Sequence, residues 1–73
     1  MPLALMKEGD RVRVVAVRGA DSVRKHLGSL GFVPGTVLSV VQIQDGNLIL
    51  GVRESRIALG SDTARRVIVE PAA

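Results

Sequence analysis

Arginine and valine alternate at the start of the segment Arg11-Val12-Arg13-Val14-Val15-Ala16-Val17. A period of two places Val12, Val14 and Ala16 on one face of a β-strand and leaves the arginines on the other. Gly9-Asp10 reads as the turn that feeds this strand, and Gly19-Ala20 interrupts it. The period then changes. Val23, Leu27 and Leu30 fall at i, i+4 and i+7, the narrow apolar stripe of a short helix over residues 23–30. Asp21-Ser22 supplies its expected N-cap oxygens, and Gly31 the left-handed residue that ends it. Arg24, Lys25 and Ser29 lie off the stripe and are expected in water. Gly28, unfavourable inside a helix, is expected to let the helix approach a strand closely.

Pro34-Gly35 fits a type II turn, with proline fixing φ and glycine supplying a positive φ. A β-branched run over residues 36–43 predicts a second strand. Asp45-Gly46 is a strong hairpin signal, and Leu48 to Arg53 returns as the third strand. Glu54-Ser55 breaks it, and Arg56-Ile57-Ala58-Leu59 reads as a short fourth strand. Ser61-Asp62 is expected to cap one helical turn carrying Thr63, Ala64 and Arg65, before a closing strand over residues 66–70 that Pro71 ends. About five short strands, one inserted helix and tight glycine turns predict a mostly β domain, a small closed or nearly closed barrel over residues 1–73. Closure would remove the edge strands that otherwise template aggregation.

Composition narrows this further. The chain has 73 residues, 47% of them hydrophobic, yet Phe32 is its single aromatic, so the core is aliphatic. So short a chain cannot hide that much apolar surface completely, and self-association is one way to cover the remainder. Cysteine is absent, which excludes both a disulfide framework and a thiolate metal site. No apolar run approaches the ~20 residues of a membrane-spanning helix, so no direct membrane insertion is expected. The net charge of +3 invites a nucleic-acid reading. The basic residues are dispersed, however, and without tyrosine or tryptophan there are no platforms for bases to stack on. A solvated basic surface is the simpler account.

Catalytic chemistry finds no foothold. His26 is the only histidine, and His26-Leu27-Gly28-Ser29 has no nucleophile–base form. One histidine without cysteine cannot build a zinc shell, so His26 is at most a weak metal candidate unless two subunits share a site. Gly31-Phe32-Val33-Pro34-Gly35 lacks the ending of a phosphate loop. Asp10, Asp21, Asp45 and Asp62 each occupy a turn or cap position, where local hydrogen bonding explains them. No enzyme and no cofactor are expected.

Four segments together resemble a known family. They are Lys7-Glu8-Gly9-Asp10; Arg24 with Leu27, Leu30-Gly31-Phe32, Pro34-Gly35-Thr36; Arg56-Ile57-Ala58-Leu59; and Ala64 with Val67 and Val69. This pattern resembles the FeoA family, small accessory proteins of bacterial ferrous iron uptake, and Leu30-Gly31-Phe32-Val33-Pro34-Gly35-Thr36 is its most specific part. The resemblance implies an SH3-like barrel with an inserted helix, in the cytoplasm or held at the inner membrane through its partner. That partner is FeoB, a membrane Fe(II) transporter with a cytosolic GTP-binding domain. Transition-metal binding is a family expectation that these residues support little. Glu54-Ser55 stands where the family commonly has glycine, Gly60 where it has a basic residue, and Gln44-Asp45-Gly46-Asn47 lacks a proline common beyond the turn.

The function expected is therefore a non-enzymatic protein-binding module serving an Fe(II) transporter. The alternatives are a basic SH3-like RNA-binding module, and a stand-alone relative of the C-terminal domain of metal-dependent repressors. Candidate partner-binding residues are Arg24, Lys25 and His26 on the helix and Asp45, Gly46 and Asn47 at the hairpin tip. Gly9, Asp10, Leu27, Leu30, Gly31, Pro34, Gly35, Ile57 and Leu59 are expected to be structural.

Overall fold

A computed structural model describes residues 1–72. Five antiparallel strands form one sheet in the order β4-β3-β2-β1-β5, with β1 at Arg11–Val17, β2 at Val37–Gln44, β3 at Asn47–Val52, β4 at Ser55–Gly60 and β5 at Val67–Pro71. A helix, α1 (Asp21–Ser29), is inserted between β1 and β2, and a single helical turn, α2 (Ser61–Ala64), between β4 and β5. Consecutive strands from β1 to β4 pair antiparallel, the first two across the helical insertion and the others by hairpins, and β5 returns to β1.

Alternation decides which way each strand faces. Val12 and Val14 on β1, Leu38 and Val40 on β2, and Leu48, Leu50 and Val52 on β3 are buried, as the period of two requires. Register slips between Val14 and Ala16 on β1 and between Val40 and Gln42 on β2, the signature of bulges. A bulge bends its strand and strengthens the local twist, which lets so short a sheet curl around its core. Val15 and Val41, at the slips, are turned out to solvent.

The curl does not close by strand pairing. β4 and β5 are the two ends of the strand order, and α2 stands between them with Ala64 fully buried. The expected removal of edge strands is thus corrected: the barrel is closed by packing, and β4 keeps its outer edge. Residues 1–6 contribute to that packing. Leu3–Leu5 form a 3-10 turn, Leu3 is fully buried against β5 and α2, and Pro2 bridges Ile68.

Helix α1 docks as its stripe predicts, with Leu27 fully buried and Val23 and Leu30 packed against the core. Phe32, the sole aromatic, is buried beside them, its N–H donating to the Leu27 carbonyl at 3.0 Å. Gly31 ends the helix at φ 105°, and a Cβ there would meet Val52 Cγ1 at 3.0 Å, so the position needs glycine for conformation and for space. The cap assignments need correction. Ala20 is the N-cap of α1 and Gly60 that of α2, neither with a side-chain hydrogen bond. Asp21, Ser22, Ser61 and Asp62 lie inside the first turns, where Asp21 and Asp62 carry favourable charge for the helix N-terminus.

Candidate functional site

The helix face comes first. Arg24, Lys25 and His26 are consecutive residues of α1 and all three are exposed. Arg24 is tied at 3.1 Å to Asp21, one turn earlier, while Lys25 has no ion pair among the described residues. An exposed i,i+3 pair of this kind is worth only tenths of a kcal/mol. No cluster of three or more His, Cys, Asp or Glu side chains among the described residues could hold a metal ion. His26 therefore has no companion ligands among the described residues.

The hairpin tip is a separate surface. Asp45 and Gly46 both take positive φ, 52° and 78°, as the two central residues of the β2–β3 turn. That is the type I′ pattern that aspartate tolerates and glycine favours. Asp45, Gly46 and Asn47 are exposed. They sit at the opposite end of β3 from Val52, the residue beside which the C-terminal end of α1 lies. Five residues of strand separate the two, roughly 17 Å at ~3.3 Å per residue. The helix face and the hairpin tip do not form one site.

Lys7 N–H donates to Asp10 Oδ2 at 2.8 Å, Gly9 N–H to the Val40 carbonyl at 2.8 Å, and Val40 N–H returns to the Asp10 carbonyl at 2.9 Å. Glu8, beside them, accepts from the Ile43 N–H at 2.7 Å and so blunts the overhanging end of β2. Pro34-Gly35 forms the expected turn, closed by Thr36 N–H to the Val33 carbonyl, with Gly35 at φ 94°. Leu59 is buried and Ile57 packs against the core.

The pattern of residues did not reveal a groove of about 430 Å³ between the end of α1 and the β3–β4 hairpin. Gly28, Leu30, Gly31 and Val33 form one wall, and Val52, Arg53, Ser55 and Ile57 the other. Gly28 acts here contrary to expectation. A Cβ on it would find only Val33 Cγ1, at 3.9 Å, so its missing side chain widens a groove instead of admitting a strand. On the outer face of the sheet, Arg11, Ser39, Gly51 and Arg56 lie directly opposite one another across β1, β2, β3 and β4. Arg53, which holds φ 57° at the β3–β4 turn, lines a shallow trough beside this row together with Arg11, Ser39 and Gly51. Arg11, Arg53 and Arg56 have no ion pair among the described residues. The expected break at Glu54-Ser55 lies one residue late: Arg53-Glu54 is the turn and Ser55 opens β4, which sets the register of this surface.

These features define a small β-barrel domain whose exposed chemistry is basic and apolar. The FeoA domain family matches residues 1–71, and the chain belongs to that family. A protein of Methanocaldococcus jannaschii provisionally named Fe(2+) transport protein A is 35% identical over 71 residues, covering 97% of this chain and 87% of that protein. A crystal structure of an iron uptake regulatory protein, FeoA, aligns with a TM-score of 0.91 at 33% identity, covering 99% of this chain and 97% of that one. The zinc complex of Stenotrophomonas maltophilia FeoA aligns with a TM-score of 0.84 at 28% identity, covering 96% and 89%. That protein is described as a prokaryotic SH3 domain protein and suggested to activate ferrous iron transport. The barrel with its inserted helix is SH3-like.

Proposed function

We propose that this chain is a non-enzymatic accessory protein that docks on the cytosolic side of an FeoB-type ferrous iron transporter. The observation that carries this reading is the family match across residues 1–71, supported by relatives described in terms of Fe(2+) transport and its activation. The barrel suits such a role physically. Its core residues are all apolar, and its charged groups are exposed or half-buried, free to meet a partner. The RNA-binding alternative gains no support, because Phe32, the single Phe, Tyr or Trp residue, is buried and so offers no stacking platform.

The helix face is the first docking surface to test. Arg24→Glu with Lys25→Glu reverses two exposed charges off the Val23/Leu27/Leu30 stripe, so stability should change by less than about 0.5 kcal/mol per substitution. Association with an acidic cytosolic surface should slow and lose salt dependence. Fe(II) uptake is measured in cells lacking the native protein, complemented by wild type or double mutant at matched levels. Reduced uptake with the mutant supports docking through α1. Full rescue removes the helix face and moves docking to another surface. Normal uptake without any complementation overturns the transporter role itself.

A further inference from the structure

We propose that the outer edge of β4 is a strand-addition site for an extended acidic–apolar segment of a partner protein. The inference rests on the accessory reading only for who that partner is; the edge chemistry is independent of it.

Register makes the case. Val52 and Ser55 flank a two-residue turn and are directly paired. In an antiparallel hairpin of this kind the flanking pair exchanges both backbone hydrogen bonds, and the bonded positions then alternate. Ser55, Ile57 and Leu59 therefore bond to β3, while the N–H and C=O groups of Arg56 and Ala58 point away from the sheet. Both residues are exposed, and neither backbone has a partner among the described residues outside the strand ladder. Such an edge is a template for another strand, unless something covers it.

The two faces of an added strand would meet different surroundings. On the core side, side chains would enter the groove between the end of α1 and the β3–β4 hairpin, whose lining includes Leu30, Val33, Val52 and Ile57. Gly28 leaves that groove open. On the outer side, the added strand extends the row Arg11-Ser39-Gly51-Arg56 by one position, opposite Arg56. Directly opposed charges of unlike sign stabilise a strand pair, and like charges oppose it. Arg53 beside that row and Arg11 within it reinforce the positive sign; each has one acid next to it in sequence, Glu54 and Asp10, and Asp10 is turned to the Lys7 N–H. Charge complementarity thus selects an acidic segment over a second copy of this basic edge, and alternation selects apolar residues for the intervening positions.

The test uses the full chain and a short blocked peptide alternating Glu and Val, followed by amide NMR and hydrogen exchange. Binding should perturb and protect the Arg56 and Ala58 amides, and a Lys–Val peptide should bind at least about fivefold more weakly. Ala58→Pro removes an outward N–H and should weaken binding about tenfold. If that variant is poorly folded, a peptide N-methylated at alternate residues asks the same question of the wild-type chain. Arg56→Glu should reverse the preference toward the Lys–Val peptide. Equal affinity for the two peptides, protection at a site other than β4, or no binding at millimolar peptide overturns the proposal. Fe(II) uptake plays no part in this assay, so its failure leaves the transporter role standing, and the reverse holds.

Discussion

β5 and β4 are the two outer strands of one sheet, yet only β5 has backbone partners on both sides. Val69 N–H donates to the Met1 carbonyl at 2.7 Å, the Met1 amino group returns to the Val69 carbonyl at 2.9 Å, and Pro2 bridges Ile68. Proline stands on both sides of that edge, as Pro2 and Pro71, and proline has no N–H to offer a further strand. β4 has β3 on one side and water on the other, with Arg56, Ala58 and Gly60 exposed along it. The contrast shows that a barrel need not be closed by hydrogen bonds. It can be closed by a buried leucine and a helical turn, which leaves one edge spent on the fold and the other available for contact.

The largest test of this contrast is Leu3→Ala. Leu3 is fully buried and holds residues 1–6 over β5 and α2. Losing it should cost about 2–5 kcal/mol, a large share of the stability of so small a domain. Chemical denaturation measures the loss, and hydrogen exchange should show Val69 exposed before Leu50. An unchanged midpoint would mean that the N-terminal segment decorates the barrel without closing it. Trimming Met1 and Pro2 while keeping Leu3 isolates the edge itself. Losing the two hydrogen bonds to Val69 and the bond from the Leu5 N–H to the Pro2 carbonyl predicts a smaller cost, about 1–3 kcal/mol, with faster exchange at Val69 and no change at Ala58.

Much of the molecule was legible in its residues, and the gaps have physical causes. The Arg/Val alternation of β1, the Leu27 stripe and the Asp45-Gly46 turn are local signals, each sufficient within a few residues. Residues 1–6 carry no period, so their role as a clasp depends on β5 and α2, which arrive some sixty residues later in the chain. The helix starts were misplaced for a related reason. Asp21 and Ser61 look like caps but serve inside the first turn, with Ala20 and Gly60 holding the extended cap position. The helix face and hairpin tip were visible as exposed polar runs. The β4 edge was not, because which strand lies outermost is a property of topology, and no single strand states it.

The β3–β4 turn offers a gain in stability. Arg53 holds φ 57°, a conformation that costs a non-glycine residue roughly 1 kcal/mol. This is the hairpin where the family pattern leads one to expect glycine. Arg53→Gly should raise stability by about 0.5–1 kcal/mol, a rise in Tm of a few degrees for a domain this size. Binding of an acidic peptide to β4 should nevertheless weaken, since one of the three arginines on this surface, Arg11, Arg53 and Arg56, is gone. Stability and binding moving in the same direction would show that Arg53 is only a turn residue.

The smallest effect is the most discriminating. Ala58→Pro deletes an N–H that points to solvent, so no ladder bond is lost, and the preceding Ile57 already has the extended backbone that proline requires. The expected cost is under about 1 kcal/mol, set by the fit of the ring to the strand's φ. Ile57→Pro is the matched control, because the Ile57 N–H is bonded to β3 opposite Leu50 and its side chain is only half-buried. There the lost bond strands an acceptor on β3, and the cost should reach about 2 kcal/mol or more. Urea midpoints for the two variants, with Ile57→Ala to subtract the side chain, decide the matter. If Ala58→Pro is as damaging as Ile57→Pro, the bonded positions of β4 are the reverse of those inferred. The free edge then presents Ser55, Ile57 and Leu59, and an added strand bonds at those positions, with Arg56 and its opposing acid in a non-hydrogen-bonded pair.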